Sequence, residues 1–240
     1  MPRCASALYT GAQSPHYTVS LAGTENEVLQ CAQLQNLANP TGVAIHHPYR
    51  RHLMVKEVSS GKIVATVGLM FGSPSAKLDD FECQSKFHLQ SVSVLPARFL
   101  ELSMPRFTAD HRNRKVITTL WQGLASLIVI HKIDYIFCSA SISIADGGQY
   151  ALQLAALALH HHGAPPLLRV SPKSPPPALE QYKSELTVIP TQELKHYLRF
   201  GAMVCGEPNW NIHAQMAELL ILLDCNAISK RYNKPMAEHI

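Results

Sequence analysis

No apolar run in these 240 residues reaches the roughly 18 that a membrane-crossing helix needs, so any contact with a bilayer is expected to be peripheral. Aromatic residues make up only 7% of the chain, and no spacing of a known nucleic-acid-binding module appears, which disfavours a basic nucleic-acid binder. The G-x-S-x-G elbow and the G-x-x-x-x-G-K-[ST] loop are both missing, which removes the simplest routes to a serine hydrolase or a nucleoside triphosphatase. No His is followed five residues later by Asp, the pairing with which glycerolipid O-acyltransferases hold a base and its orienting acid. Cysteines number six but form no C-x-x-C pair, and nothing at the N-terminus reads as a signal peptide. Reduced thiols in the cytoplasm are the corresponding expectation.

Apolar residues account for 47% of the sequence, enough for a sizeable core, and no Gly/Ser-rich or charged linker divides it, so a single domain over 1–240 is expected. Lys and Arg number 21 against 17 Asp and Glu. From Arg98 to Lys132 there are six bases and two acids, so this central stretch holds the entire excess. A locally basic face suits phosphate or an acidic partner.

Within that stretch an apolar-rich segment containing one acid, Leu100-Glu101-Leu102, leads through Arg106 and Asp110 to the basic turn Arg112-Asn113-Arg114-Lys115. An amphipathic segment without charge follows from Val116 to Ile130. The pattern predicts strand, turn and helix. The first N–H groups of such a helix have no intrahelical acceptor, and its dipole favours an anion there. Arg112, Asn113, Arg114, Lys115, Val116 and Ile117 are therefore read as a phosphate-binding turn. Glu101 is costly to bury, so it either has a cationic partner, Arg106 or Arg112, or serves as a base with a raised pKa. Downstream, Tyr135 to Ser141 begins as a strand and narrows to small residues. Ser139 and Ser141 at its end bind the donor or only pack. A second helix is predicted from about Asp146 to His162.

The flanks read more simply. Residues 1–16 look like a frayed arm, Tyr17 to Leu21 like a short strand, and Thr24 with Glu27 like a capping box opening a helix through about Leu37. His52 to Val58 and Lys62 to Phe71 form a predicted hairpin, and a short helix is expected near Asp79 to Phe87. The prolines of residues 171–177 predict an extended connection that is no central strand. Tyr197 to Cys205, a turn at Gly206 to Asn209, and Met216 to Leu223 are expected to close the sheet, followed by a polar tail. No metal is expected. Three successive His on a helix, His160 to His162, point about 100° apart and cannot converge on one ion. His46, His47 and His52 lack companion ligands, and Cys138 reads as a buried thiol.

The motifs Leu100-Glu101-Leu102, Asp110-His111-Arg112, Val116-Ile117 and Leu120 to Ala125, with Tyr135 to Ser141, Ala164-Pro165-Pro166 and Val204 to Pro208, resemble the ornithine-lipid N-acyltransferases. These form a hemolysin-like branch of the GNAT superfamily. The resemblance implies a mixed α/β GNAT-like fold with a mostly antiparallel sheet flanked by helices. It implies transfer of a (3-hydroxy)acyl group from acyl carrier protein, or from CoA, to the α-amine of ornithine or a similar amino acid, giving a lyso-aminolipid at the inner face of the membrane. The acyl-phosphopantetheine thioester is then a co-substrate, with no permanently bound cofactor. Glu101 becomes the candidate base and Arg106 the candidate acceptor-binding cation, while Arg112 to Ile117, Ser139 and Ser141 take the donor. The chain also departs from the family, with Met104 standing where an arginine is usual and the N-terminal Arg-Tyr-x-Val-Phe signature missing. These departures motivate a second reading, a catalytically lapsed GNAT-fold protein that still binds acyl carrier protein.

Overall fold

The computed structural model describes residues 16–36, 50–72, 78–177 and 189–227. Most of the expected N-terminal arm, His46, His47 and most of the C-terminal tail lie outside them. In chain order the elements are β1 (Tyr17–Leu21), α1 (Glu25–Asn36), β2 (Arg51–Glu57), β3 (Ile63–Gly72), β4 (Phe87–His88), α2 (Gln90–Ser93), β5 (Phe99–Leu102) and β6 (Arg106–Phe107). They continue as α3 (Arg114–His131), β7 (Tyr135–Ser143), α4 (Gln149–His162), β8 (Ser171–Pro172), α5 (Gln192–Arg199), β9 (Met203–Val204), β10 (Asn209–Asn211) and β11 (Met216–Asp224). The chain forms two compact units, residues 1–70 with 102–132 and residues 71–101 with 133–240. Their boundaries fall inside β3, before the last residue of β5 and just after α3, and no linker marks them.

In the first unit β1, β2 and β3 run antiparallel, and β6 joins β3. The capping box predicted for α1 is present: Glu27 N–H donates to Thr24 Oγ1, and Glu27 Oε2 accepts from the Gly23 and Thr24 amides. The hairpin turn closes at Gly61, whose φ of 68° lies in the left-handed region. Helix α3 packs on β1 and β2. Its buried positions Val116, Leu120, Gly123, Leu124 and Leu127 repeat at helical spacing, and each full leucine burial is worth about 1.5–3 kcal/mol. Gly123 has no side chain because Val19 of β1 occupies the space, with Val19 Cγ2 only 2.5 Å from where a Cβ would stand. On the opposite side Trp121 is 42% exposed.

In the second unit β5 pairs with β7 in parallel, and β11 pairs antiparallel with β7, β9 and β10. The rings of Phe99 and Phe137 stack across the parallel pair with centroids 5.3 Å apart, and Phe81 meets Phe137 edge-on. Asp146 caps α4, accepting from the Gly148 and Tyr150 amides, so the helix starts at Gln149, three residues after the expected point. Buried Trp210 lies so close to Gly148 that an added Cβ would stand 2.3 Å from its ring.

Three expectations are corrected. Tyr197 to Arg199 belongs to α5, because Thr191 caps a helix there by accepting from Leu194 N–H; only Met203–Val204 remains as strand. The expected turn ends a residue early, since Asn209 already opens β10. The helix sought near Asp79 to Phe87 is a pair of 3₁₀ turns, Leu78–Asp80 and Glu82–Ser85, followed by β4 at Phe87. Within the proline-rich stretch, Ser171–Pro172 makes a two-residue pair with β4, in a sheet of its own.

Candidate active site

The strand predicted to lead into the basic turn is interrupted. Ser103 N–H donates to Gly68 O at 2.9 Å, and Ser103 Oγ accepts from Gly68 N–H at 2.7 Å. Pairing with β3 resumes at Arg106 opposite Thr66. Three residue steps on this side thus oppose two on β3, which makes Met104 and Pro105 a bulge. Gln35 of α1 pins it, donating through Nε2 to Thr66 O and accepting through Oε1 from Ser103 Oγ. Gly68 is required beneath, since a Cβ would come within 2.8 Å of Ser103 Oγ.

The bulge opens a cavity of about 460 Å³ lined by Leu34, by residues 104–109 and by Arg112. Its walls combine aliphatic and aromatic carbon with two guanidinium groups. Arg106 Nε is buried and has no hydrogen-bond acceptor among the described residues. A desolvated cationic donor left in this state is a place for an anion. Thr108 fixes the far side, donating its N–H to Val64 O and sharing a 3.0 Å hydrogen bond with His111 Nδ1; His111 Nε2 lies 3.5 Å from Glu57 Oε1.

Directly beyond, Asn113 caps α3, its Oδ1 accepting from Val116 N–H at 3.1 Å. Ile117 N–H donates to Asn113 O, as the first full helical turn requires. The Arg114 and Lys115 amides point out of the helix end without an intrahelical acceptor. The side chains of Arg112, Asn113, Arg114 and Lys115 are exposed, Val116 is buried and Ile117 is half-buried. The predicted turn therefore exists, with its cap and its open amides. Sequence reasoning put Arg112 with the donor and Arg106 with the acceptor; the structure sets both in one cavity wall. Leu34 and Phe107 were missed as lining residues, and the one available signal was Pro105 inside a strand pattern.

Glu101 and the two serines belong to the second unit. The sequence leaves Glu101 a cationic partner or a base's role, and the structure adds a third: its carboxylate holds the 3₁₀ turn at Glu82–Ser85. Its Oε2 accepts from Glu82 N–H at 2.6 Å and its Oε1 from Cys83 N–H at 2.7 Å. Glu101 is 7% exposed. Burial pushes its pKa above the usual carboxylate value, against the pull of the two amides. Burial likewise drives the Cys83 thiol well up, with Glu101 beside it, and Cys205 to about 12. Ser139 and Ser141 are half-buried on one face of β7, while Cys138, Ala140 and Ile142 are buried on the other. Among the described residues no group of three His, Cys, Asp or Glu could hold a metal ion, and no helix is long and apolar enough to cross a membrane.

Residues 32–122, which include the bulge, the cavity wall and the helix N-terminus, match the family model of the acetyltransferase (GNAT) domain. The fold is that of the GNAT acyltransferases. The chain is similar to the L-ornithine N(alpha)-acyltransferase of Rhodobacter capsulatus, 27% identical over 180 residues that cover 72% of this chain and 68% of that protein. It is also similar to the enzyme of the same name from Rhizobium meliloti, 28% identical over 198 residues, covering 75% of this chain and 66% of that one. The match thus spans about two thirds of the length of these relatives. A solved structure, FeeM, an N-acyl amino acid synthase from uncultured soil microbes, aligns with a TM-score of 0.47 at 9% identity, covering 90% of this chain and 95% of that one.

Proposed function

We propose that this protein is an N-acyltransferase that moves a fatty acyl group from the phosphopantetheine thioester of acyl carrier protein to the α-amine of an amino acid. The observation that carries the reading is the cavity of the first unit, where half-buried Arg106, its buried Nε without an acceptor among the described residues, and Arg112 stand directly before an open helix N-terminus. Similarity to the ornithine acyltransferases supports the reaction class. In the reaction the amine nitrogen attacks the thioester carbonyl, the C–N bond forms, the C–S bond breaks, and the thiol leaves with the proton the amine gives up.

Each residue has a separate task. The Arg114 and Lys115 amides, with the Arg112, Arg114 and Lys115 side chains, hold the donor's phosphate and the acidic face of the carrier. Arg106 takes the acceptor's carboxylate. The Met104 N–H, in the bulge, is proposed to receive the oxyanion. Glu101, made more basic by burial, is the proposed proton acceptor, and Ser139 and Ser141 are proposed donor contacts. The product, an acylated amino acid, has a lipid's tail and a polar head, which fits work at a membrane surface on the cytoplasmic side.

The test is to incubate the purified protein with acyl-loaded carrier protein, or acyl-CoA, and an amino-acid mixture, and to look for amide-linked products by mass spectrometry. Carrier binding without product would favour the lapsed-binder reading, to which the engagement of both Glu101 oxygens by loop amides lends weight.

A further inference from the structure

The cavity of the first unit is charged on one side only. That unit contains ten Lys and Arg against four Asp and Glu. Two of the four acids are committed elsewhere: Glu27 to Lys56 and its own helix cap, Glu57 to Ser60 and His111. Glu25 stands exposed in the first turn of α1, and Asp110 is exposed and outside the cavity lining. Segments 1–15 and 37–49, beyond the described residues, contain no Asp or Glu at all. The cavity therefore offers an anion two guanidinium groups, and offers the rest of the ligand the carbon of Leu34, Met104, Pro105 and Phe107.

Ornithine has a poor fit to such walls. Its carboxylate suits Arg106, but its side-chain ammonium would enter a space that has two cations and, among the described residues that line it, no carboxylate to receive it. A phosphate dianion would use the cations and leave the apolar walls idle. The ligand that uses both is an anion at one end and an aliphatic chain at the other. We infer that the acceptor is an α-amino acid with an uncharged aliphatic side chain, held by its carboxylate on Arg106, and that ornithine is discriminated against. This rests on the acyl-transfer reading for its reaction but on the cavity alone for its ligand.

L-Norleucine is the decisive probe, because it matches ornithine atom for atom with a methyl group in place of the ammonium. Binding of norleucine, ornithine and norleucine amide to the whole protein would be measured by titration calorimetry, in parallel with acylation. Norleucine should bind roughly tenfold or more tightly than ornithine, and the amide, which lacks the carboxylate, should lose most of that affinity. Arg106→Gln should weaken norleucine binding and narrow the ratio. Met104→Glu, at a position 43% exposed where a carboxylate keeps contact with water, should turn the ratio towards ornithine. Ornithine binding as well as norleucine, with loss of its binding in Asp110→Asn, would overturn the inference by showing that Asp110 receives the ammonium. Failure of both amino acids to bind, or displacement of norleucine by millimolar inorganic phosphate, would overturn it too. Selective norleucine binding without any acylation would uphold the cavity's assignment and sink the acyl-transfer reading.

Discussion

Replacing Glu101 with Gln separates what its carboxylate does for the fold from what it does for chemistry. Each carboxylate oxygen accepts from one loop amide, the part-buried Glu82 N–H at 2.6 Å and the buried Cys83 N–H at 2.7 Å. A glutamine oxygen can serve one of them, but its NH₂ must face the other donor. Losing one hydrogen bond to a charged group and leaving an N–H unsatisfied costs roughly 2–4 kcal/mol, and relief of the buried charge offsets part, leaving about 2 kcal/mol. In a chain of this size about 2 kcal/mol lowers Tm by about 4–8 °C. The pH dependence has an uncommon sign. A carboxyl whose pKa is raised in the folded state binds more protons folded than unfolded once pH drops below that raised value, so its contribution to stability grows as pH falls towards 4.5. Glutamine has no such term. The gap between the two proteins, read from urea and thermal unfolding at pH 7 and pH 5, should therefore widen at the lower pH. An unchanged Tm, or a gap that narrows towards acid, would refute this account of Glu101. Turnover of the variant at a temperature where it is fully folded then reports the proton-transfer role: a drop in kcat supports it, and retained kcat rejects it.

Gly123→Ala should lose about 1 kcal/mol in urea unfolding despite a helix-propensity gain of about 1 kcal/mol, because the new methyl meets Val19 Cγ2 at 2.5 Å. Adding Val19→Ala should lessen the loss, which a double-mutant cycle detects as coupling. Lys56 holds the Glu27 carboxyl at a pKa of about 2, chiefly through their hydrogen bond. Since the pair is partly solvated, Lys56→Met should cost only about 1 kcal/mol at pH 7; that difference is full above pH 4.5 and fades as pH falls to about 2. Arg112→Ala with Lys115→Ala should weaken acyl carrier protein binding and flatten its dependence on salt, and affinity that keeps its wild-type salt slope would remove the basic turn from the docking surface.

Elements encoded by neighbouring residues were legible in the sequence. The Thr24/Glu27 box, the β2–β3 hairpin and the basic turn before α3 depend on capping, turn chemistry and period, all local. The bulge at Met104–Pro105 was not legible, since it depends on Gly68 and Gln35, far away in sequence. The parallel partnership of β5 and β7 is likewise set by long-range packing. Tyr197 to Phe200 was misread because its alternating aromatic and aliphatic residues suit a strand, whereas the deciding residue, Thr191, sits six positions upstream as a cap. Glu101 stood out in the sequence as an acid costly to bury, and it is buried. That backbone amides hold it could not be read, because any residue supplies an N–H.

The two tryptophans are placed so that each compact unit carries one, exposed Trp121 in the first and buried Trp210 in the second. An indole in water emits at longer wavelength than one in an apolar setting, so the intrinsic emission is a sum of two signals of different colour. Trp210 should shift red on unfolding, while Trp121, already wetted, should change mainly in intensity. Removing one indole at a time would give the same chain two single-colour reporters. Denaturation followed through each would show whether the two halves melt together or in turn, with no label attached.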